Sequence, residues 1–298
     1  MKVQFIGKDK FASDWVAIVK DYAEKHMGLS IPEKRSADAD IWLAHRMVRL
    51  PKITPRAVKI SDVFTCPSDL QTGWEFLKSK VERGEDLEPH LSRQIKDVLG
   101  RDEMLMHWQI NHFHIGTVED PKHPGMIEGG SHIVYAFVDD QSFHALALLE
   151  HGHWTNREIV ETLKRNWPSN IYTPNLVETI PNYTHEEVLN RRKSHVNALT
   201  PLSDGSTYRG FGETAGGSSV LGTMKATHLR RMFGVREWEI RGDFNRYFPD
   251  IKVEENTLIN ATLVLNPDFS FSAKLTDLNA EVRLEMETMP QLIKSLRS

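Results

Sequence analysis

Cysteine is almost missing from the 298-residue chain, and Cys66 is the only one. An intrachain disulfide and any zinc site built from several cysteines are therefore excluded. No stretch approaches the roughly 18 consecutive apolar residues of a membrane-spanning helix. The opening MKVQFIGKDKFASDW also lacks the apolar core of a signal peptide, so a cytoplasmic location without membrane attachment is expected. A large excess of either charge is missing too. The 37 Lys and Arg against 41 Asp and Glu leave a net charge of −4, so a polyanion would have to be held by a local basic patch. Recognised metal and phosphate motifs are missing. There is no His-Glu-X-X-His and no cysteine pair, and Gly216-Gly217-Ser218-Ser219 lacks the lysine and preceding strand of a phosphate loop.

What the chain does have is histidine. Eight of its fourteen fall between 107 and 154: His107, His112, His114, His123, His132, His144, His151 and His153. Histidine titrates near neutral pH and is the commonest metal ligand, so this density points to a site.

Hydrophobic residues at 40% and charged residues at 26% describe a globular chain with an ordinary core. Periodicity predicts a short strand at 1–7, a helix over 11–27, a buried strand at Ile41–Ala44 and a strand at 58–64. Ser68 with Gln71 has capping-box spacing before a helix over 69–83, and a second helix over about 89–99 stops at Gly100. Three strands follow, 107–115, 133–139 and 143–151. The proline- and glycine-rich segment 119–131 between the first two is expected to be a mobile surface loop. Thr155 and Glu158 repeat the capping-box spacing before a helix over 156–167. Beyond it, Pro174 and Pro181 mark an extended connection, 185–198 reads as a polar helix, and the six glycines of 205–222 read as a flexible connector. Thr223–Phe233 is a basic helix, Asn-Pro-Asp at 266–268 joins a hairpin, and 280–286 alternates like a strand. The fold class expected is α+β: an antiparallel meander with flanking helices in a domain 1–175, a connection 176–205, and a smaller α+β part 206–298.

Strand alternation sorts the histidines. His112 and His114 share a face with Trp108 and Ile110, while His107 points away. His151 and His153 share a face with Phe143, Ala145, Ala147 and Leu149, and His144 points away. Two His-X-His pairs near the ends of neighbouring strands suit proton transfer at a phosphate or metal coordination. A lone pair of this kind is ordinarily plain polar surface. His123 and His132 read as solvent-facing.

The run Gly130-Ser131-His132-Ile133-Val134-Tyr135-Ala136-Phe137-Val138-Asp139-Asp140, followed by Ala145 through Glu150 and His151-Gly152-His153, resembles the meander of RelE-like ribonuclease toxins. About 50 residues carry the likeness, and histidines stand where that family has arginines. The resemblance implies metal-free RNA cleavage by general acid–base catalysis, with His151 or His153 at the Gly-His position. The expected catalytic set is thus His112, His114, His151 and His153, with His107, Arg157, Lys164 and Arg165 holding substrate and no cofactor. The expected partners are RNA and a cognate protein or second copy, as for a toxin or defence effector. Two other readings stay open: a metal-dependent phosphoesterase using the same histidines, and a non-enzymatic, antitoxin-like binding module.

Overall fold

The computed structural model describes residues 2–7, 9–171 and 183–298. The extended connection expected at Pro174 and Pro181 lies outside them. In chain order the elements begin with β1 (Gln4–Phe5), α1 (Lys10–Met27), α2 (Ala39–Met47), β2 (Ala57–Ile60) and α3 (Gln71–Arg83). Next come α4 (Glu103–Trp108), β3 (Ile110–His114), β4 (His132–Val138), β5 (Ser142–Glu150), α5 (Glu158–Asn166) and α6 (His185–Lys193). The rest are β6 (Thr200–Pro201), β7 (Thr207–Tyr208), α7 (Val220–Gly242), α8 (Phe244–Tyr247), β8 (Leu258–Ile259), β9 (Ala261–Leu265), β10 (Phe271–Leu275), β11 (Ala280–Arg283) and α9 (Met289–Ser295). The fold is mixed α+β, as expected. Among the described residues no helix is long and apolar enough to cross a membrane.

The chain gathers into two units whose bounds differ from the expected segments. One joins the residues up to Met47 with Gly222–Arg297, and the other is Val48–Leu221 with Ser298. In the first unit β9, β10 and β11 form an antiparallel sheet and β1 pairs with β8 in parallel. Its core is aromatic: Trp15 of α1 stacks on Phe233 of α7 at 4.7 Å, and Phe271 of β10 closes on both. Asp9 makes no side-chain cap for α1. The amide of Phe11 instead donates to the buried carboxylate of Glu237 at 2.8 Å, which satisfies one of the helix's free first-turn donors. Ile41–Ala44 is helical, inside α2, rather than a strand. Four apolar residues in a row do not separate a buried helix from a buried strand.

The second unit holds a four-stranded sheet in the order β2-β5-β4-β3, parallel between β2 and β5 and antiparallel elsewhere. Ile159, Val160 and Leu163 of α5 pack on the face formed by Ile110, Ile133, Tyr135 and Phe137. That is the packing the amphipathic pattern predicts. Neither expected capping box forms. Leu70 and Arg157 occupy the N-cap positions of α3 and α5, without a side-chain hydrogen bond. The helix expected over 89–99 is replaced by two short 3₁₀ turns, Glu88–His90 and Arg93–Lys96.

Two departures matter for the site. The strand expected from 107 begins only at Ile110, because His107 and Trp108 end α4 and Gln109 reverses the chain with φ +57°. That conformation usually belongs to glycine. Here Gln109 is tied down, its amide donating to the carbonyl of Leu105 and its side-chain oxygen accepting from the Tyr208 hydroxyl. The second departure is an irregularity between β4 and β5: Tyr135 faces Ala147, whereas the next residue, Ala136, faces Ala145. The residue skipped, Leu146, acts as a bulge and shifts the alternation by one. His144 therefore shares the face of Ala147 and Leu149 instead of pointing away from it.

The loop 119–131, expected to be mobile, closes on itself through a bridge between Glu119 and Ile127 and buries Met126. Nor is 205–222 a loose connector. The amide of Gly212 donates to the carbonyl of Met106 at 2.8 Å, and a Cβ on Gly210 would lie 2.2 Å from the carbonyl oxygen of His107. Glycine is needed there so that the backbone can lie against α4.

Candidate functional site

Strand β3 carries Ile110, His112 and His114 on one face, opposite Phe137, Tyr135 and Ile133 of β4. The hydrophobic end of that face lies under α5, and the histidine end opens into a cavity of about 430 Å³. Its walls include His112, His114 and His151, together with Asp102, Glu103, Arg49, Arg101 and Trp154. The two His-X-His pairs are not on neighbouring strands, because β4 lies between β3 and β5, yet His112 and His114 share this cavity with His151. The rings of His114 and His151 lie 5.3 Å apart, inclined at 36°.

Each imidazole has a different environment. His114 is 8% exposed, and its pKa is pushed down to about 4 by burial, aided by the neighbouring charges of His112, His151 and Arg93. Neutral near pH 7, it can accept a proton and carries no charge of its own. Its Nδ1 is buried without a hydrogen-bond partner among the described residues. His112 faces the Asp102 carboxylate, with 3.4 Å between Nδ1 and Oδ2. An imidazolium at His112 would thus have an anion to pair with. His151 is exposed and follows β5 in a turn made by Gly152 at φ +107°. Trp154 stands edge-on to His112 and His151, at 5.1 and 6.0 Å between ring centres, and limits where both rings can go.

Asp102 performs two tasks. Its Oδ1 accepts from the Leu105 amide at 2.9 Å, capping α4, while Oδ2 looks into the cavity. Arg101 beside it forks onto Glu213 at 2.8 and 2.9 Å. The Glu213 side chain is fully buried and also meets His195 at 2.7 Å. This pairing satisfies a carboxylate that would otherwise be costly to bury. It also fastens the glycine-rich segment to the cavity wall. Arg49 donates to the carbonyls of Gln94 and Asp97 and adds positive charge to the opposite wall.

The remaining expected residues lie elsewhere. His153 is half-buried and does not line the cavity. His107, on α4 instead of a strand, lines a second, smaller cavity together with Arg157. Lys164 lies 3.9 Å from Asp204, and Arg165 forks onto exposed Asp62 at 2.8 and 2.9 Å; neither lines the histidine cavity. His144 is fully buried against Trp167, its Nε2 3.0 Å from Asp139. His123 is exposed, as expected, and pairs with Asp120 at 2.9 Å.

Asp102, Arg101, Arg49 and Trp154 were not foreseen. Only Asp102 had a signal in the sequence, an aspartate just before the apolar run Met104–Met106. Among the described residues, no three His, Cys, Asp or Glu side chains are grouped so that they could hold a metal ion. No protein-family model, curated protein or solved structure matches the chain.

Proposed function

We propose that the chain is a ribonuclease that cleaves RNA by histidine general acid–base catalysis without a metal. The observation that supports this most is the meeting of His112, His114 and His151 with Asp102 in one cavity. Neutral His114 takes the proton of a ribose 2′-hydroxyl, and the 2′-oxygen attacks phosphorus. The imidazolium of His112, paired with Asp102, gives its proton to the 5′-oxygen as the P–O5′ bond breaks. The products are a 2′,3′-cyclic phosphate and a free 5′-hydroxyl. His151, beside His114, faces the non-bridging oxygens, and Arg49 adds positive charge where negative charge builds. A phosphodiester anion entering the cavity also opposes the like-charge part of the His114 shift, making it a better base once substrate is bound. The likeness of residues 107–154 to RelE-like toxins extends the proposal to a toxin or defence effector with a protein partner.

The test is cleavage of a defined RNA by purified protein with EDTA present, for wild type, His114→Gln and His151→Ala. A positioned acid or base contributes about 10²- to 10⁴-fold, so losses of that size are expected with folding unchanged. RNA left intact by the wild type overturns the proposal. Activity seen only with an added divalent metal transfers the histidines to a metal-dependent phosphoesterase.

A further inference from the structure

Behind the Trp154 wall lies the second cavity, of about 250 Å³. Its charged lining is cationic. Arg157, Arg191 and Arg192 contribute, and the described lining includes no carboxylate. Arg192 is 3% exposed, its guanidinium lies over the Trp108 ring at 4.4 Å, and one nitrogen donates to the Trp154 carbonyl at 2.6 Å. Its Nη2 is buried with no partner among the described residues, and so is Nε2 of His107, itself 7% exposed. Burying such polar atoms unpaired is expensive, so two on residues that line one cavity point to a ligand that satisfies them. Burial lowers the Arg192 pKa only to about 10, which leaves it a cation at neutral pH.

The apolar part of the wall includes Val188, Val196 and Leu199, and Tyr183 lies under the Arg191 guanidinium at 4.0 Å. The volume sits just below the roughly 300–1,000 Å³ of ordinary ligand sites, which suits a single nucleotide unit, free or at one position of a chain.

We propose that this cavity binds a single nucleotide, its phosphate on Arg192 and Arg191 and its base against Val188, Val196 and Leu199. The choice of a nucleotide rests on the RNA-cleaving reading; the choice of an anion with a flat apolar body does not. Trp154 lines the histidine cavity, and Thr155, the next residue, lines this one. The site would therefore hold a nucleotide flanking the bond that is cut.

Calorimetric titration of the full chain with adenosine 5′-monophosphate, adenosine and inorganic phosphate tests this. Wild type should bind the monophosphate at least about tenfold more tightly than either fragment, and Arg191→Ala should weaken it about tenfold or more, the size of one charge-assisted hydrogen bond. Arg192→Lys should do the same, provided its circular dichroism matches wild type; Arg191→Ala, on the surface of α6, decides if it does not. His114→Gln should leave the affinity unchanged. The proposal is overturned by no binding to wild type, by phosphate binding as tightly as the nucleotide, or by binding lost in His114→Gln and kept in Arg191→Ala. RNA cleavage without nucleotide binding ends this inference alone, and nucleotide binding without cleavage ends the catalytic one alone.

Discussion

Mild acid should destabilise the four-stranded unit before its carboxylates titrate. His90, His107 and His114 are 0%, 7% and 8% exposed, and burial takes each from an ordinary 6.5 down to about 4. Between those values the unfolded chain binds a proton that the folded chain refuses, so stability is complete above pH 6.5 and falls as pH drops towards 4. Below 4 both states are protonated and the loss stops growing. At pH 5 each histidine removes about 2 kcal/mol relative to pH 7.5, given 1.36 kcal/mol per pKa unit. Together they remove about 6 kcal/mol, comparable to the whole stability of many domains, about 5–15 kcal/mol. Burial lowers His144 as well, against the pull of Asp139, and so adds in the same direction. Asp62, held at about 2 by Arg165, stays charged throughout this window. The assay is urea unfolding at pH 7.5 and 5.0, with pulse amide-exchange labelling of 132–150 at one fixed labelling pH. His90→Asn, whatever its cost at pH 7.5, should reduce the difference between the two pH values by about a third. A midpoint that stays put between pH 7.5 and 5.0 would refute the reasoning.

Two further outcomes are expected. Asp102→Asn keeps an acceptor for the Leu105 amide and removes the charge facing His112. Its stability should stay within about 0.5 kcal/mol of wild type while RNA cleavage falls about 100-fold, whereas Asp102→Ala should also lose about 1 kcal/mol of capping in thermal unfolding. Cleavage at the wild-type rate by Asp102→Asn would remove Asp102 from the mechanism. Gly210→Ala places a Cβ 2.2 Å from the His107 carbonyl and should cost about 1–3 kcal/mol in urea unfolding. A change too small to measure would show that 205–222 is a loose connector after all.

The sequence by itself determined what depends on neighbours along the chain. Period-two apolar alternation marked 133–139 and 143–151, the 3.6-residue stripe of Ile159, Val160 and Leu163 marked α5, and Asn-Pro-Asp placed the hairpin of β9 and β10. The histidine density marked the site, and His112, His114 and His151 do meet there. Local pattern fails where a residue's conformation is fixed from far away. Gln109 takes a left-handed backbone because Tyr208, 99 residues on, holds its side chain, and this turns the start of an apparent strand into the end of α4. The bulge at Leu146 is a property of the pairing between β4 and β5, invisible in either strand alone, and it decides which face His144 takes. Arg101 reaches Glu213 across 112 residues, and Arg49 reaches Gln94 across 45. Burial is likewise a tertiary quantity. The same imidazole titrates near 6.5 in water and near 4 inside this sheet, so the sequence supplied the histidines and the packing around them decided their protonation.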